Sequence, residues 1–199
     1  GYIGFTVANL YQNELYNKSA MSVEAAVSLG ASADSGSYAR IFQIGDGKTT
    51  TALRSQRSNT LNSPSSNKGY GFMTTLCTEQ APASINAGTP HPTPNEYAEY
   101  VAGEKFYTPG ALAFHGMSYD GAKLDNFTGN AANMISLSDS TQFKGKISRD
   151  IGAKLFTIGC REGQSYNWYD SEIDELRISA VSRSAAWMEN CRRSMLSPE

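Results

Sequence analysis

Apolar residues along this chain recur mostly at every second position, in short runs divided by turn-forming residues. In YIGFTVA (2–8), Ile3, Phe5 and Val7 alternate with small or polar partners. In AMSVEAAVSLG (20–30), Met21, Val23, Ala25, Val27 and Leu29 share one face. A period of two is the mark of a half-buried strand. ARIFQIGDGKTTTALRSQ (39–56) predicts two more strands joined at Gly45-Asp46-Gly47, a hairpin-like turn. No helix follows those glycines, so they read as a turn rather than as a phosphate cradle. PGALAFHGMSYDGAKLDNFTGN (109–130) predicts a strand, a turn at Asp120-Gly121, a short strand, and a second turn at Thr128-Gly129-Asn130. AKLFTIGC (153–160) and IDELRIS (173–179) add two strands.

A helical pattern emerges only at the end. In SRSAAWMENCRRSM (182–195), Ser184 is the candidate N-cap, Ala185 and Ala186 are helix formers, and Arg192 and Arg193 occupy the last turn. Trp187, at helical spacing from Cys191, reads as a core anchor. Two polar stretches, 55–71 and the proline-rich 80–97, read as long surface loops that could wall a cleft.

Composition agrees with β structure: 18 glycines and 11 tyrosines accompany many Ser, Thr and Asn residues that break the apolar runs. The expected fold is all-β, a two-sheet antiparallel jelly-roll sandwich with a short C-terminal helix. A length of 199 residues suits one domain, 1–199. A net charge of −2, with no basic cluster longer than Arg192-Arg193, argues against nucleic acid and a polybasic membrane surface. The apolar runs are too short for membrane insertion. Nothing in the opening GYIGFTVANL reads as a leader, so the chain is expected to be a mature or trimmed piece, with other domains of a longer parent possible.

Cys77, Cys160 and Cys191 are far apart and form no zinc-type spacing, so their disulfide state stays open. His115 sits in a predicted strand and His91 between prolines. Neither belongs to a nucleophile motif.

The order MSVEAAV, RIFQIGDG, HGMSYDG, LFTIGC and SEIDELRISAVSRSAAWM resembles the laminin-G-like jelly-roll domains of the concanavalin-A-like lectin and glucanase superfamily. It is most similar to bacterial versions whose last strand reads Ile-Asp-Glu-hydrophobic-Arg and is followed by an Arg-Ser-hydrophobic-Trp helix. The resemblance spans about residues 20 to 195, and its specific part is that final motif. The chain departs from the pattern at KLDNFTGN, where such domains commonly carry a Tyr-hydrophobic-Asn-Gly hairpin. The resemblance implies two twisted sheets with a concave face, in carbohydrate-binding, adhesion or architectural modules of secreted proteins. Other members are glycosidases.

The segment YDSEIDELRIS (169–179) tests that last possibility, because it holds Asp170, Glu172, Asp174 and Glu175. The superfamily's retaining glucanases place their acids on one strand as Glu-x-Asp-x-Glu, sometimes with one extra residue before the last. Glu172 and Asp174 fit the first two places, but Leu176 and Arg177 stand where the third acid belongs. No general acid and nucleophile pair results. Alternation puts Asp174 on the core side with Leu176 and Ile178, and Glu175 and Arg177 on the other, in exposed cross-strand pairs. An inward Asp174 needs a partner: backbone N–H groups of a loop, or a calcium ion shared with Asp170 and loop carbonyls.

Just before this strand, Tyr166, Asn167, Trp168 and Tyr169 form a loop whose rings could stack on a sugar while Asn167 takes its hydroxyls. The same rings could instead pack over the sandwich edge. The sequence therefore points to a non-catalytic extracellular or cell-surface module of bacterial type that binds a glycan or a surface protein. The alternatives are a structural spacer or protein-interaction domain without a small ligand, and a divergent glycoside hydrolase.

Overall fold

The computed structural model describes residues 3–6, 15, 18–28, 40–45, 51–58, 71–76, 78–80, 98–101, 110–142, 144–147, 155–159 and 172–196. In chain order these form β1 (Ile3–Thr6), β2 (Met21–Ser28), β3 (Arg40–Gly45), β4 (Thr51–Ser58), β5 (Gly71–Leu76), β6 (Thr78–Gln80) and β7 (Ala98–Val101). They continue with β8 (Leu112–Tyr119), β9 (Lys123–Asn130), β10 (Ser136–Gln142), β11 (Lys144–Ile147), β12 (Leu155–Ile158), β13 (Ile173–Ser179) and the helix α1 (Ala185–Leu196). A six-stranded sheet runs β1-β12-β3-β4-β5-β7, a five-stranded sheet β10-β9-β8-β2-β13, and β11 pairs with β6. Every pairing is antiparallel. The expected all-β jelly roll with one C-terminal helix is the architecture found. Among the described residues no helix is long and apolar enough to cross a membrane.

Strand β2 is central in its sheet and buried along its whole length. Its odd residues Met21, Val23, Ala25 and Val27 line up with Ala113, His115, Met117 and Tyr119 of β8, which continue to Leu124, Asn126 and Thr128 of β9. This row is mostly apolar and buried throughout, as expected of a strand facing the interior of a sandwich. His115, Asn126 and Thr128 are the exceptions in chemistry, not in burial. Burial pulls the His115 imidazole pKa down to about 3, so the ring is neutral.

The even row of β2, Ser22, Glu24, Ala26 and Ser28, faces the opposite way, and α1 covers part of it. Met188, Cys191 and Met195 of the helix pack with Ala26, Phe114 and Phe127. Their spacing of three and four residues is one helical stripe. Trp187 lies one residue off that stripe, turned about 100° away, and is 42% exposed. The expected core anchor is therefore Met188. Ser184 does cap the helix, its Oγ accepting the Trp187 N–H at 3.3 Å.

Two glycines make room for this docking. A Cβ on Gly116 would meet the Phe114 ring at 2.9 Å and the Met188 sulfur at 3.0 Å. A Cβ on Gly129 would meet Arg192 Cδ at 2.8 Å. Gly129 thus belongs to a packed strand, not to the expected turn. The turn comes later, where Asn130 Oδ1 accepts the N–H groups of Ala132 and Asn133.

A charged clamp fixes the helix to that turn. Glu189 accepts from Arg192 Nη2 at 2.9 Å, Arg192 Nε at 3.0 Å, Arg193 Nε at 3.0 Å and the Ile135 N–H at 3.0 Å. Arg192 in turn donates to the Asn130 carbonyl at 2.7 Å. Both Glu189 and Arg192 are buried, so these contacts replace their water.

The clamp leads to two expectations. Hydrogen bonding from Arg192 holds the Glu189 pKa down at about 2, against its usual 4.5. A depressed carboxyl pKa adds stability that is complete above pH 4.5 and vanishes as pH falls towards 2, on the order of 3 kcal/mol over that window. Chemical denaturation at stepped pH should show this loss, and in Glu189→Gln the slope should flatten while neutral-pH stability drops by about 3 to 5 kcal/mol. Along the stripe, Met188→Ala should cost about 2 to 5 kcal/mol and Trp187→Ala less than about 1 kcal/mol, read from the same denaturation curves.

Candidate functional site

The β8–β9 hairpin forms one side of an open cleft. Its turn is shaped by Asp120, whose Oδ1 accepts the N–H groups of Ala122 and Lys123, both at 2.9 Å. Gly121 follows with φ of +90°, a conformation that disfavours other residues, and a Cβ there would lie 2.8 Å from the Ser19 carbonyl oxygen. On β9, Lys123 and Asp125 pair at 2.5 Å on the same side of the strand. This local chemistry leaves Asp120 Oδ2 free of the turn, at the mouth of the hairpin.

The other side is the link between β13 and α1. It is tied down where Ser118 Oγ accepts the Arg183 N–H at 3.0 Å and meets Ser182 Oγ at 2.8 Å. Between the two walls lies a space of about 530 Å³, lined by Ser118, Asp120, Lys123, Asp125 and Phe127 from the hairpin and by residues 182 to 185 from the link. Its groups are hydroxyls, a carboxylate, an ammonium–carboxylate pair, a guanidinium and one aromatic surface. Such a set can hydrogen-bond a ligand rich in hydroxyls while Phe127 contacts its apolar side.

Arg183 lies over the Trp187 ring, its guanidinium carbon 4.0 Å from the centroid. Its Nε is buried without a hydrogen-bond partner. Beneath it, Glu24 is buried and accepts from Ser22 Oγ at 3.4 Å. Burial pushes the Glu24 pKa up, opposed by Ser22 and by the charges of Arg183 and Arg177. Arg177 pairs with Glu175 at 2.6 Å and points one nitrogen at Cys191 Sγ, 3.8 Å away. The Cys191 thiol is free and buried, and burial raises its pKa.

The acidic strand differs from expectation at one point. A bulge between Ile173 and Glu175 sets Ile173 opposite Val27 and Glu175 opposite Ala26. Two residues then face one, so Ile173 joins Leu176 and Ile178 on the interior side. Asp174 is the extra residue and is exposed, not inward as simple alternation requires. Glu175 and Arg177 pair within their own strand rather than across strands. Glu172 is exposed as well, its backbone N–H given to Ser28 Oγ at 3.0 Å.

Tyr166, Asn167, Trp168, Tyr169 and Asp170 lie outside the described residues, as do Cys77, Cys160 and His91. The calcium expectation joins Asp174 to Asp170 and so rests partly outside them. Among the described residues no group of three or more His, Cys, Asp or Glu side chains could hold a metal ion. The cleft itself was not visible as a motif. Ser118 and Ser182 meet across 64 positions of sequence, and the signals that exist, the Asp-Gly turn and the Arg-Ser before the helix, read only as structure.

No protein-family model matches the sequence, and no curated protein matches it either. Solved structures do match in shape. The carbohydrate-binding module CBM40 of a Ruminococcus gnavus sialidase, bound to α2,3-sialyllactose, is similar with a TM-score of 0.60 at 13% identity, over 94% of this chain and 90% of that one. An arabinofuranosidase complexed with arabinofuranosyl-α-1,2-xylobiose is similar at 0.54 and 10% identity, over 93% of this chain but 37% of the enzyme. The enzymatically active domain of tailspike protein 2 of bacteriophage CBA120 is similar at 0.52 and 7% identity, over 92% of this chain and 25% of that one. Identities this low speak for fold alone. The strand order and these likenesses together show the fold of the chain to be a two-sheet antiparallel jelly-roll sandwich.

Proposed function

We propose that the protein is a non-catalytic carbohydrate-binding module of a secreted or surface-exposed protein, and that the cleft between the β8–β9 hairpin and the start of α1 receives the glycan. The observation that carries this reading is the cleft's construction. Its hydrogen-bonding groups stand on paired strands and on a tied link, so their geometry is set before a ligand arrives. Preorganised donors and acceptors are what a weakly apolar, hydroxyl-rich ligand needs to compete with water. The likeness to a sialyllactose-bound module over almost the whole of both chains supports the same reading.

Catalysis is disfavoured by the state of the acids. Leu176 and Arg177 occupy the third acid's place on β13, and Arg177 is engaged by Glu175. In the cleft, Asp125 is taken by Lys123 and Asp120 Oδ1 by two backbone N–H groups. Both aspartates hold the hairpin. A glycoside hydrolase would need a positioned acid and a separate nucleophile or base.

A glycan array followed by titration calorimetry on the best ligand tests the proposal. Asp120→Asn keeps an Oδ1 acceptor for the turn and changes the oxygen facing the ligand. It should weaken binding at least tenfold, about 1.4 kcal/mol, with an unchanged melting temperature. Trp168→Ala should leave affinity within about twofold. The reverse result would move the site to the aromatic segment 166–169, and failure to retain any glycan would contradict the module reading. Incubation with the bound glycan should release no reducing sugar.

A further inference from the structure

We infer that the cleft selects saccharides bearing an anionic substituent, a carboxylate or a sulfate, and that Arg183 binds that group. The inference rests on the carbohydrate reading above and adds the class of sugar. Its starting point is the pairing of the arginines. Arg177 is bound to Glu175, and Arg192 and Arg193 to Glu189. Lys123, the other cation of the cleft, is bound to Asp125. Among the described residues Arg183 alone of these cations forms no ion pair, and its Nε has no hydrogen-bond partner.

This idle guanidinium is not a loose surface side chain. Its backbone is tied to Ser118 Oγ and its guanidinium carbon rests 4.0 Å from the Trp187 ring centre. A cation–π contact uses the ring's π face and consumes none of the guanidinium N–H donors, which stay available to an oxyanion. The nearby buried carboxylate, Glu24, exerts its field on Arg183 without forming an ion pair. The cation also stands at the start of α1, where partial positive charge from the first turn adds to its own.

Asp120 decides between a free anion and an acidic sugar. A small anion in the cleft would be drawn to Arg183 and repelled by Asp120, and would have no hydroxyl to give the Asp120 carboxylate. A saccharide with its anionic group at Arg183 can present ring hydroxyls to Asp120 Oδ2 and to the serine pair. Each polar element of the cleft then finds a complementary group.

The test is an array of matched glycans, each in neutral, carboxylated and sulfated forms, read with the wild type, Arg183→Gln and Arg183→Lys. The best acidic glycan should bind wild type at least tenfold more tightly than its neutral counterpart, and that preference should fall with rising salt. Arg183→Gln should remove that preference, bringing the acidic form to the affinity of its neutral counterpart in the same variant, and should leave the melting temperature in place. Arg183→Lys should restore part of the preference. Preference for the carboxylated form identifies a uronic or sialic type of acid, and preference for the sulfated form a sulfated sugar. Equal binding of neutral and acidic forms, unaffected by Arg183→Gln, would overturn the inference and leave the module reading intact. No binding of any glycan would overturn both.

Discussion

The buried pair of Glu189 and Arg192 is the constraint on which the outer side of this jelly roll depends. A twelve-residue helix is marginal on its own, and its buried apolar stripe here is short, Met188, Cys191 and Met195 with the partly buried Leu196. Two charges placed under it would cost more than they return unless their hydrogen-bonding capacity were filled. It is filled, by the Ile135 N–H on one side and the Asn130 carbonyl on the other. The pair thus converts a weak hydrophobic contact into a fixed position, and Gly129 is the opening through which Arg192 reaches the strand backbone.

With the helix fixed, the rest of that face follows. Its N-terminal end places the 182–184 link beside Ser118, so a hairpin that would otherwise face solvent becomes one wall of a cleft. The polar row of the sheet, Glu24 with Arg177 nearby, is sheltered under the helix flank instead of lying open. The sandwich interior, by contrast, is dominated by aliphatic and aromatic packing, with His115 kept neutral inside it. The sandwich core therefore lies on one side of the five-stranded sheet, and the docked helix and the candidate cleft lie together on the other.

Much of the fold was legible because strand alternation is a local signal. β2, β3, β8, β9, β12 and β13 all fall within segments whose apolar residues mark them, and the Ser184 cap was readable from three residues. β10, SLSDSTQ, and β6, TEQ, were not: they lack an apolar face and take their form from neighbours. The bulge at Asp174 inverted one face because it is set by pairing with β2, not by the strand's own sequence. Trp187 misled for a related reason, since helical spacing fixes a stripe but not which of two adjacent stripes meets the sheet. The cleft was invisible altogether, being made where residues far apart in sequence come together.

Native-state hydrogen exchange tests most directly whether the helix and its link are fixed parts of the fold. The informative amides are Ile135, given to Glu189, and Arg183, given to Ser118, both in segments without regular secondary structure. The account predicts that both exchange as slowly as the β8 amides, opening only with global unfolding. Exchange of either at the rate of an open loop, while β8 stays protected, would show a helix that comes and goes and would contradict the account.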